Sequence, residues 1–514
     1  MSEMQLDLLA DLGECPIHLQ PSKDGALGLK RFINRGRGCG AAIVPAVSST
    51  FLVGKGLQGS FPFNLIYLDH GVSLAANGRW TKHDLSVGHD AQYLLEELLG
   101  ELEIHLNQKR FSRKKYLPAL DIVLANLLRV HLLDGQLIIR MGTNHEIYER
   151  RNPERVSSRT LQNVIMFLAE CDYIALQVGR SNEYQGNASW CIPLANLIGR
   201  LEQSKARVML RENACLAELR ERPKKRRSQS GRIDKIKGDP IHVSHSSREW
   251  NRLKNLEKPA RAHNTTWLNY IATLDGKVVI PWLRRIFIES TQLGGRFYGE
   301  YQNLPSELRD AILINGEKTV ELDFKAMHIA ILYALEGIEL DGDPYHVEGY
   351  PREAIKSVCL VLANTDNLPA LKAAITRSAQ PEIQRVNAQY QVRRYEYERL
   401  TAINLKCDKP KMPVTLEGYV DGLPKNCKGQ DVIYAIRARH TPIAHHFGQE
   451  DIGLRLQRLD SDVMAAALTM LKGIPVLPVH DSIRCRVSDI NTVYEVMAQA
   501  CIKVLGHRIR IEEK

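Results

Sequence analysis

The chain has 514 residues, 44% of them hydrophobic, with a formal net charge of +10 and an isoelectric point near 9.0. That length predicts about two to four domains with packed cores, no apolar run reaches the ~20 residues of a membrane span, and the basic balance favours a polyanionic partner. Ten cysteines without a Cys-x-x-Cys pair indicate neither a zinc knuckle nor a disulfide framework. They read instead as small buried hydrophobes in a reducing compartment. The N-terminus, Met1-Ser2-Glu3-Met4-Gln5-Leu6-Asp7, carries acids where a leader would carry bases, so a cytoplasmic location is expected.

Residues 1–105 form an N-terminal region whose fold the sequence leaves unknown. Gly36-Arg37-Gly38-Cys39-Gly40 and Val53-Gly54-Lys55-Gly56 lack the strand-loop-helix context of a phosphate loop and read as ordinary turns. No paired acidic motif there would supply a proofreading exonuclease.

From Leu117 to Leu133, Leu120, Val123, Leu124, Leu127, Leu128 and His131 recur at helical spacing, with Pro118 in a first turn that tolerates it. Ser157-Ser158 predicts the cap of a second helix to Cys171, burying Leu161, Val164, Ile165 and Leu168 and exposing Arg159, Thr160, Gln162 and Asn163. Two β-prone runs follow, Tyr173–Val178 and Ala188–Ile192, joined by a polar turn through Gly179-Arg180-Ser181-Asn182. Helix, capped helix and hairpin in that order resemble a winged helix over residues 106–205. The resemblance implies that Arg159 and Gln162 of the capped helix face DNA. A structural or protein-docking role is the alternative.

Residues 206–250 are expected to be a basic linker. Between Arg220 and Lys237 nine Lys/Arg stand against two acids, including Lys224-Lys225-Arg226-Arg227 beside Ser228-Gln229-Ser230-Gly231. Such a run is too polar to pack, and it serves either as a solvated tether or as one that contacts phosphates.

Two carboxylate-bearing segments then carry the chemistry. Thr319 to Phe324 reads as a strand and Lys325 to Glu336 as an apolar helix ending before Gly337, so Asp323 sits where strand becomes helix. Val476 to Val479 and Ile483 to Val487 are β-prone runs joined by His480-Asp481-Ser482, which places Asp481 at a tight hairpin turn. Two carboxylates brought together by one sheet suit a pair of divalent metals roughly 3.5–4 Å apart and in-line phosphoryl transfer. Between them, Pro351 to Asn364 predicts a helix with proline at its first position and Arg352 and Lys356 one turn apart on the same face. Fixed cations beside such a centre offset charge on transferred phosphates without reorganisation.

The order Asp323, Arg352-x-x-x-Lys356, His480-Asp481 resembles motifs A, B and C of family A polymerases, the group of bacterial DNA polymerase I and phage single-subunit RNA polymerases. The resemblance spans residues 251–514. It extends to Gly294-Gly295-Arg296-Phe297-Tyr298-Gly299 with Gln302-Asn303-Leu304-Pro305, similar to that family's template-strand segment. Leu456 to Met464 is similar to the helix leading into the palm hairpin. It implies an α+β protein with a palm-and-fingers domain in which Asp323, Asp481 and the Phe324 carbonyl hold two Mg²⁺, with Mn²⁺ as an alternative. Lys356 would contact the α-phosphate region and serve as a candidate general acid. Arg352 would hold the outer phosphates, Arg296 would contact the template strand, and His480 would abut the primer terminus.

Two departures bear on sugar choice. Asn364 stands where the family has an aromatic residue, and His328 stands where its DNA polymerases have a sugar-closing glutamate. The segment Asn387 to Arg399 reads either as a solvated fingers helix or as a surface on which single strands stack. The function implied is template-directed DNA synthesis from nucleoside triphosphates on a primed template, without evident proofreading. The alternatives are a primase-like or RNA polymerase activity and a catalytically silent DNA-binding replication initiator. Template type, primer need and oligomeric state are not legible.

Overall fold

Apolar spacing shapes the N-terminal half of the described chain. The computed structural model describes residues 78–514 apart from 81, 83, 108–110, 134–135, 140–153, 155, 178–188, 228–232, 237, 245, 403–404, 406 and 417. The glycine-rich segments near residues 36–40 and 53–56 therefore lie outside the described residues, as do the hairpin turn near 179–182 and the serine-rich run at 228–231. The helix Gln92–Leu106 buries Leu94, Leu95, Leu98, Leu99 and Leu102 against the helix Arg113–Leu132. The second of these starts a turn upstream of expectation because Tyr116 is buried and stacks on Phe111 with centroids 4.9 Å apart. Pro118 consequently lies in its second turn.

The capped helix forms over Ser158–Glu170, with the Ser157 hydroxyl accepting from the Thr160 N–H at 3.2 Å. Leu161, Val164, Ile165 and Leu168 are buried as the spacing predicts. Thr160, expected outside, is fully buried, because its hydroxyl pairs with that of Ser157 at 2.7 Å and so belongs to the cap. The strands Ile174–Gln177 and Ser189–Pro193 pair antiparallel. A strand that sequence reasoning missed, Gln136–Ile139, joins them in a four-stranded sheet ordered Gly78–Trp80, Gln136–Ile139, Ser189–Pro193, Ile174–Gln177.

The expectation of an unpacked linker over 206–250 is corrected. Lys224–Arg227 pairs antiparallel with Ile233–Ile236, so the basic run is one arm of a hairpin. Just before it, Ala217–Arg220 pairs parallel with Arg284–Ile288, which in turn pairs with Ser290–Tyr298. The physical reason lies in alternation: Ala217 and Leu219 point inward and pack with Leu253 and Phe287, so one face of this segment is apolar despite its charge.

The C-terminal part is built on an antiparallel sheet ordered Lys277–Val279, Ala272–Leu274, Leu313–Ile314, Glu317–Phe324, Ser482–Arg486, Val476–Val479, with Ile511–Glu513 also pairing with Glu317–Phe324. The helix Ile452–Met470 packs against the strand Ser290–Tyr298 and the helix Ile490–Leu505. Trp267 is fully buried and donates from Nε1 to the Val476 carbonyl at 3.1 Å.

Leu74–Lys514 form one unit, and polar groups fasten its two halves. Glu300 accepts from Lys82 at 2.5 Å and from Arg129 at 2.6 Å through one oxygen, Oε1. Asp84 pairs with Arg284, and Trp282 donates to the Val208 carbonyl. Burial pushes the Glu300 carboxyl up, but Lys82 and Arg129 outweigh that and hold it at about 2. The Lys82 amine moves down, because burial and the neighbouring guanidiniums of Arg129 and Arg284 outweigh its attraction to Glu300. The cluster therefore stabilises the carboxylate at some expense to the lysine. Among the described residues no helix is long and apolar enough to cross a membrane. Cys191, Cys359, Cys485 and Cys501 are buried, and burial pushes all four thiols up.

Candidate active site

Register brings the two aspartates together. In the antiparallel pair Glu317–Phe324 and Ser482–Arg486, Asp323 lies opposite Ser482, and the Phe324 N–H donates to the Asp481 carbonyl at 3.3 Å. The turn between Val479 and Ser482 is only His480-Asp481, one residue shorter than expected, because Ser482 pairs with Val479 and opens the second strand. Both carboxylate segments carry a non-glycine residue in the left-handed region: Ala326 at φ 49° in the strand-to-helix turn and His480 at φ 57° in the hairpin. Such conformations cost of order 1–3 kcal/mol each and persist only where the surroundings enforce them.

The local field is negative and partly desolvated. Burial pushes the Asp323 carboxyl up, Asp481 and Glu321 push it further, and Lys514, 3.0 Å from Asp323 Oδ1, opposes them without prevailing. Glu321 is buried on the same face of the strand, accepting from Ser482 Oγ at 2.7 Å and Arg484 at 3.0 Å. A carboxyl pushed up by burial and by its acidic neighbours, beside the Asp481 hairpin and with an ammonium drawn onto it, belongs to a donor set that suits hard cations with oxygen ligands.

A second layer holds the flank of this site. Gly294 and Gly295 have φ 71° and 83°, and the pairing of Arg284–Ile288 with Ser290–Tyr298 shifts register beside them. A Cβ on Gly295 would stand 2.7 Å from the Phe287 ring and 3.0 Å from Ser461 Oγ, so only glycine permits this approach. Past the bend, Arg296 donates to Asp460 Oδ2 from Nη2 at 2.5 Å and from Nε at 3.0 Å. The Asp460 side chain is completely buried.

His328 lies on the same carboxylate, with Nε2 3.1 Å from Asp460 Oδ2, and its Nδ1 is 3.2 Å from Asn364 Nδ2. The Asn364 amide also donates to the Leu360 carbonyl at 2.7 Å, which fixes its orientation as donor. His328 Nδ1 thus faces the Asn364 amide donor, while Nε2 faces both Asp460 and, at 3.2 Å, Arg296 Nη2. The helix Ile452–Met470 passes so close that a Cβ on Gly453 would lie 2.9 Å from the Asn364 Cα. The two residues that depart from the expected pattern thus touch each other.

The helix Arg352–Leu362 buries Ala354, Ile355, Val358, Cys359 and Leu362, leaving Arg352 and Lys356 on its exposed side. Pro351 is its cap, one position outside the expected first helical residue. Arg352 donates to Asp343 at 2.5 Å and to Glu353 at 2.6 Å and lies over the Tyr345 ring, 5.4 Å from its centroid. Among the described residues the charged partner of Lys356 is Glu353, at 3.9 Å. Burial pushes the Tyr345 phenol up to about 12; Arg352 opposes this while Asp343 and Asp481 add to it, so Tyr345 feels both the helix cation and the hairpin carboxylate.

The structure thus brings together Asp323, Asp481, Phe324, His480, Arg296, His328 and Asn364, with Arg352 and Lys356 on the adjoining helix. His480 packs edge-on to Tyr298 at 6.1 Å, and burial, then Arg296, push its imidazole down. Arg296, expected to reach nucleic acid directly, is mostly buried and committed to Asp460, so it positions neighbours in this state. Arg159 is exposed, Gln162 is half-buried, and Lys224 is exposed beside Glu221 at 2.9 Å. Lys225, Arg226 and Arg227 continue the hairpin arm. Asn387 to Arg399 lies within a helix, Pro381–Ala402, with Tyr395 largely exposed.

Sequence reasoning missed Asp460, Glu321 and Lys514. For Asp460 a signal existed: with Leu456, Val463, Met464 and Ala467 it falls on the buried stripe of its helix, where an acid needs a partner.

No protein-family model and no curated protein matches this sequence. Among solved structures, the chain is similar to the POL domain of Pol1 from M. smegmatis, solved in complex with a DNA primer-template and dNTP, at 11% identity and a TM-score of 0.23. The match covers 51% of this chain and 51% of that one, so the chain spans about half the length of its neighbour.

Proposed function

We propose that the chain is a template-directed nucleic-acid polymerase that extends a 3′ end with nucleoside triphosphates, with DNA synthesis as the first reading. One observation carries it: the register that sets Asp323 beside the Asp481 hairpin at one end of the sheet, in a field that resists a second negative charge. Asp323, Asp481 and the Phe324 carbonyl would hold two Mg²⁺. Bound there, the ions supply activation of the attacking hydroxyl and neutralisation of the leaving pyrophosphate.

The chain's own residues do the rest. Lys356, exposed and nearly unpartnered, reaches the transferred phosphate and is the candidate general acid. Arg352 exchanges Asp343 for the outer phosphates of the incoming nucleotide. His480 and Tyr298 form a half-buried ring pair against which the primer end rests. Asp460 fixes Arg296 and His328, and His328 with Asn364 lines the sugar side.

The polar His328–Asn364 contact favours keeping ribonucleotide use as a second reading, because a polar contact takes the place of the aromatic that the family resemblance implies. A catalytically silent initiator is disfavoured by the intact carboxylate pair and by Arg352 and Lys356. Residues 106–205 act as a winged-helix-like DNA contact, supported by the capped helix and by a strand order in which the hairpin extends the strand between the helices. The deciding experiment gives the full chain primed and unprimed templates with dNTPs or NTPs. Incorporation that vanishes in Asp323→Asn and Asp481→Asn supports the reading; normal synthesis by either variant removes it.

A further inference from the structure

We infer that the chain carries a second metal site, for a transition ion of the zinc class, formed by Glu336, His445 and His446 and separate from the Asp323–Asp481 pair. Glu336 caps the C-terminal end of the helix Met327–Leu335, and the two histidines end the short 3-10 turn Thr441–His446. His446 Nε2 lies 2.7 Å and His445 Nε2 3.3 Å from the same oxygen, Glu336 Oε1. The three ligand atoms all fall within 4.8 Å of one another. A tetrahedral ion with bonds of about 2.0–2.1 Å holds its ligands roughly 3.3 Å apart, so the three need only small side-chain rotations to enclose one.

Three further observations point to an ion. The imidazole rings of His445 and His446 stand 4.1 Å apart, an arrangement in which two protonated rings repel and two metal-bound rings do not. Glu336 sits at the C-terminal end of the helix Met327–Leu335, where the helix dipole favours positive charge. The scaffold beneath is rigid: Tyr333, one turn before Glu336, pairs its hydroxyl with His440 Nδ1 at 3.1 Å, and His440 Nε2 reaches the Pro344 carbonyl at 2.8 Å. Ile443 and Phe447, on either side of the histidines, are buried.

Donor chemistry selects the ion. Two imidazoles and a carboxylate suit Zn²⁺, Co²⁺ or Ni²⁺, whereas Mg²⁺ prefers oxygen ligands. His445 is 56% exposed, so the fourth position opens to solvent and takes water. Such an ion would tie the helix that follows Asp323 to the segment before Ile452–Met470, which carries Asp460. The site is therefore a clamp across the flank of the active site.

The test is a zinc titration of the full chain against a chromogenic chelator, with Co²⁺ absorption as a second readout. Wild type should take up one tight equivalent of Zn²⁺ and give the intense visible bands of four-coordinate Co²⁺. Glu336→Gln, His445→Ala and His446→Ala should each weaken zinc binding by about 10-fold or more, and zinc should raise the melting temperature of wild type alone. Asp323→Asn should keep the tight equivalent, which separates this site from the catalytic carboxylates. Melting in excess chelator should be the same for wild type and the three variants, so any loss of binding reflects lost ligands. Failure of wild type to bind zinc tightly, wild-type affinity in His445→Ala or His446→Ala, or loss of the tight equivalent in Asp323→Asn would each overturn the inference.

Discussion

Replacing Glu300 by glutamine should loosen the join between the two halves of the chain. Its carboxylate is the common acceptor for Lys82 and Arg129, and the Arg129 side chain is only 6% exposed. Removing one member of a buried pair leaves uncompensated charge and costs on the order of 3–5 kcal/mol. An independent route gives a similar figure: a carboxyl held at about 2, where 4.5 is usual, contributes about 3 kcal/mol to folding at pH values above both. The depressed Lys82 amine subtracts from this, so ~2–4 kcal/mol is expected at pH 7.

The sign with pH follows. A carboxyl depressed by folding adds stability above its unfolded value, and that stability is lost as pH falls from about 4.5 toward about 2. Urea denaturation of wild type and Glu300→Gln at pH 7 should differ by the full amount, and near pH 2.5 by much less. Arg129→Met should cost less in the Glu300→Gln background than alone, since the ion pair it would break is already gone. A difference below ~1 kcal/mol at pH 7, or one that does not shrink in acid, would refute the assignment of this cluster as the fastening.

Asp323→Asn should raise the urea midpoint of the metal-free chain at neutral pH, because ionised Asp323, raised by burial and by Asp481, favours the unfolded state above its folded pKa; an unchanged or lowered midpoint contradicts this. Lys356→Ala should lower turnover by on the order of 10²-fold while Arg352→Ala chiefly raises the triphosphate KM, as single-turnover kinetics would resolve. Neutralising Lys224, Lys225, Arg226 and Arg227 should flatten the salt dependence of DNA binding by roughly 0.9 log units per lost contact, read by titrations at several salt concentrations. His328→Ala and Asn364→Tyr should change the dNTP-to-NTP efficiency ratio non-additively, since the two residues share a hydrogen bond; additive effects would mean that they act separately.

The carboxylate strands were legible because their signals are local: β-prone runs, a short turn and an apolar helix lie within a few residues of each aspartate. The cap at Ser157 was legible for the same reason. What escaped was set by distance along the chain. Arg296 finds Asp460 164 residues away, and Glu336 finds His446 110 residues away, so neither contact leaves a periodic trace. The segment 206–250 was misread because the charge density from Arg220 onward masked the inward Ala217 and Leu219 just before it, and Thr160 because the cap uses a second hydroxyl beyond Ser157.

The parallel pairing of Ala217–Arg220 with Arg284–Ile288 makes the two halves of the chain one object during biosynthesis. The earlier strand leaves the ribosome long before its partner, and waits with one apolar face and an open row of backbone donors and acceptors until about residue 288 has emerged. A C-terminal fragment beginning near residue 251 would never receive it. Its Arg284–Ile288 strand would become a bare edge, and Phe287 would lose Ala217 and Leu219 from its packing, a combination that invites intermolecular pairing. The N-terminal half is in this sense a folding component of the C-terminal half.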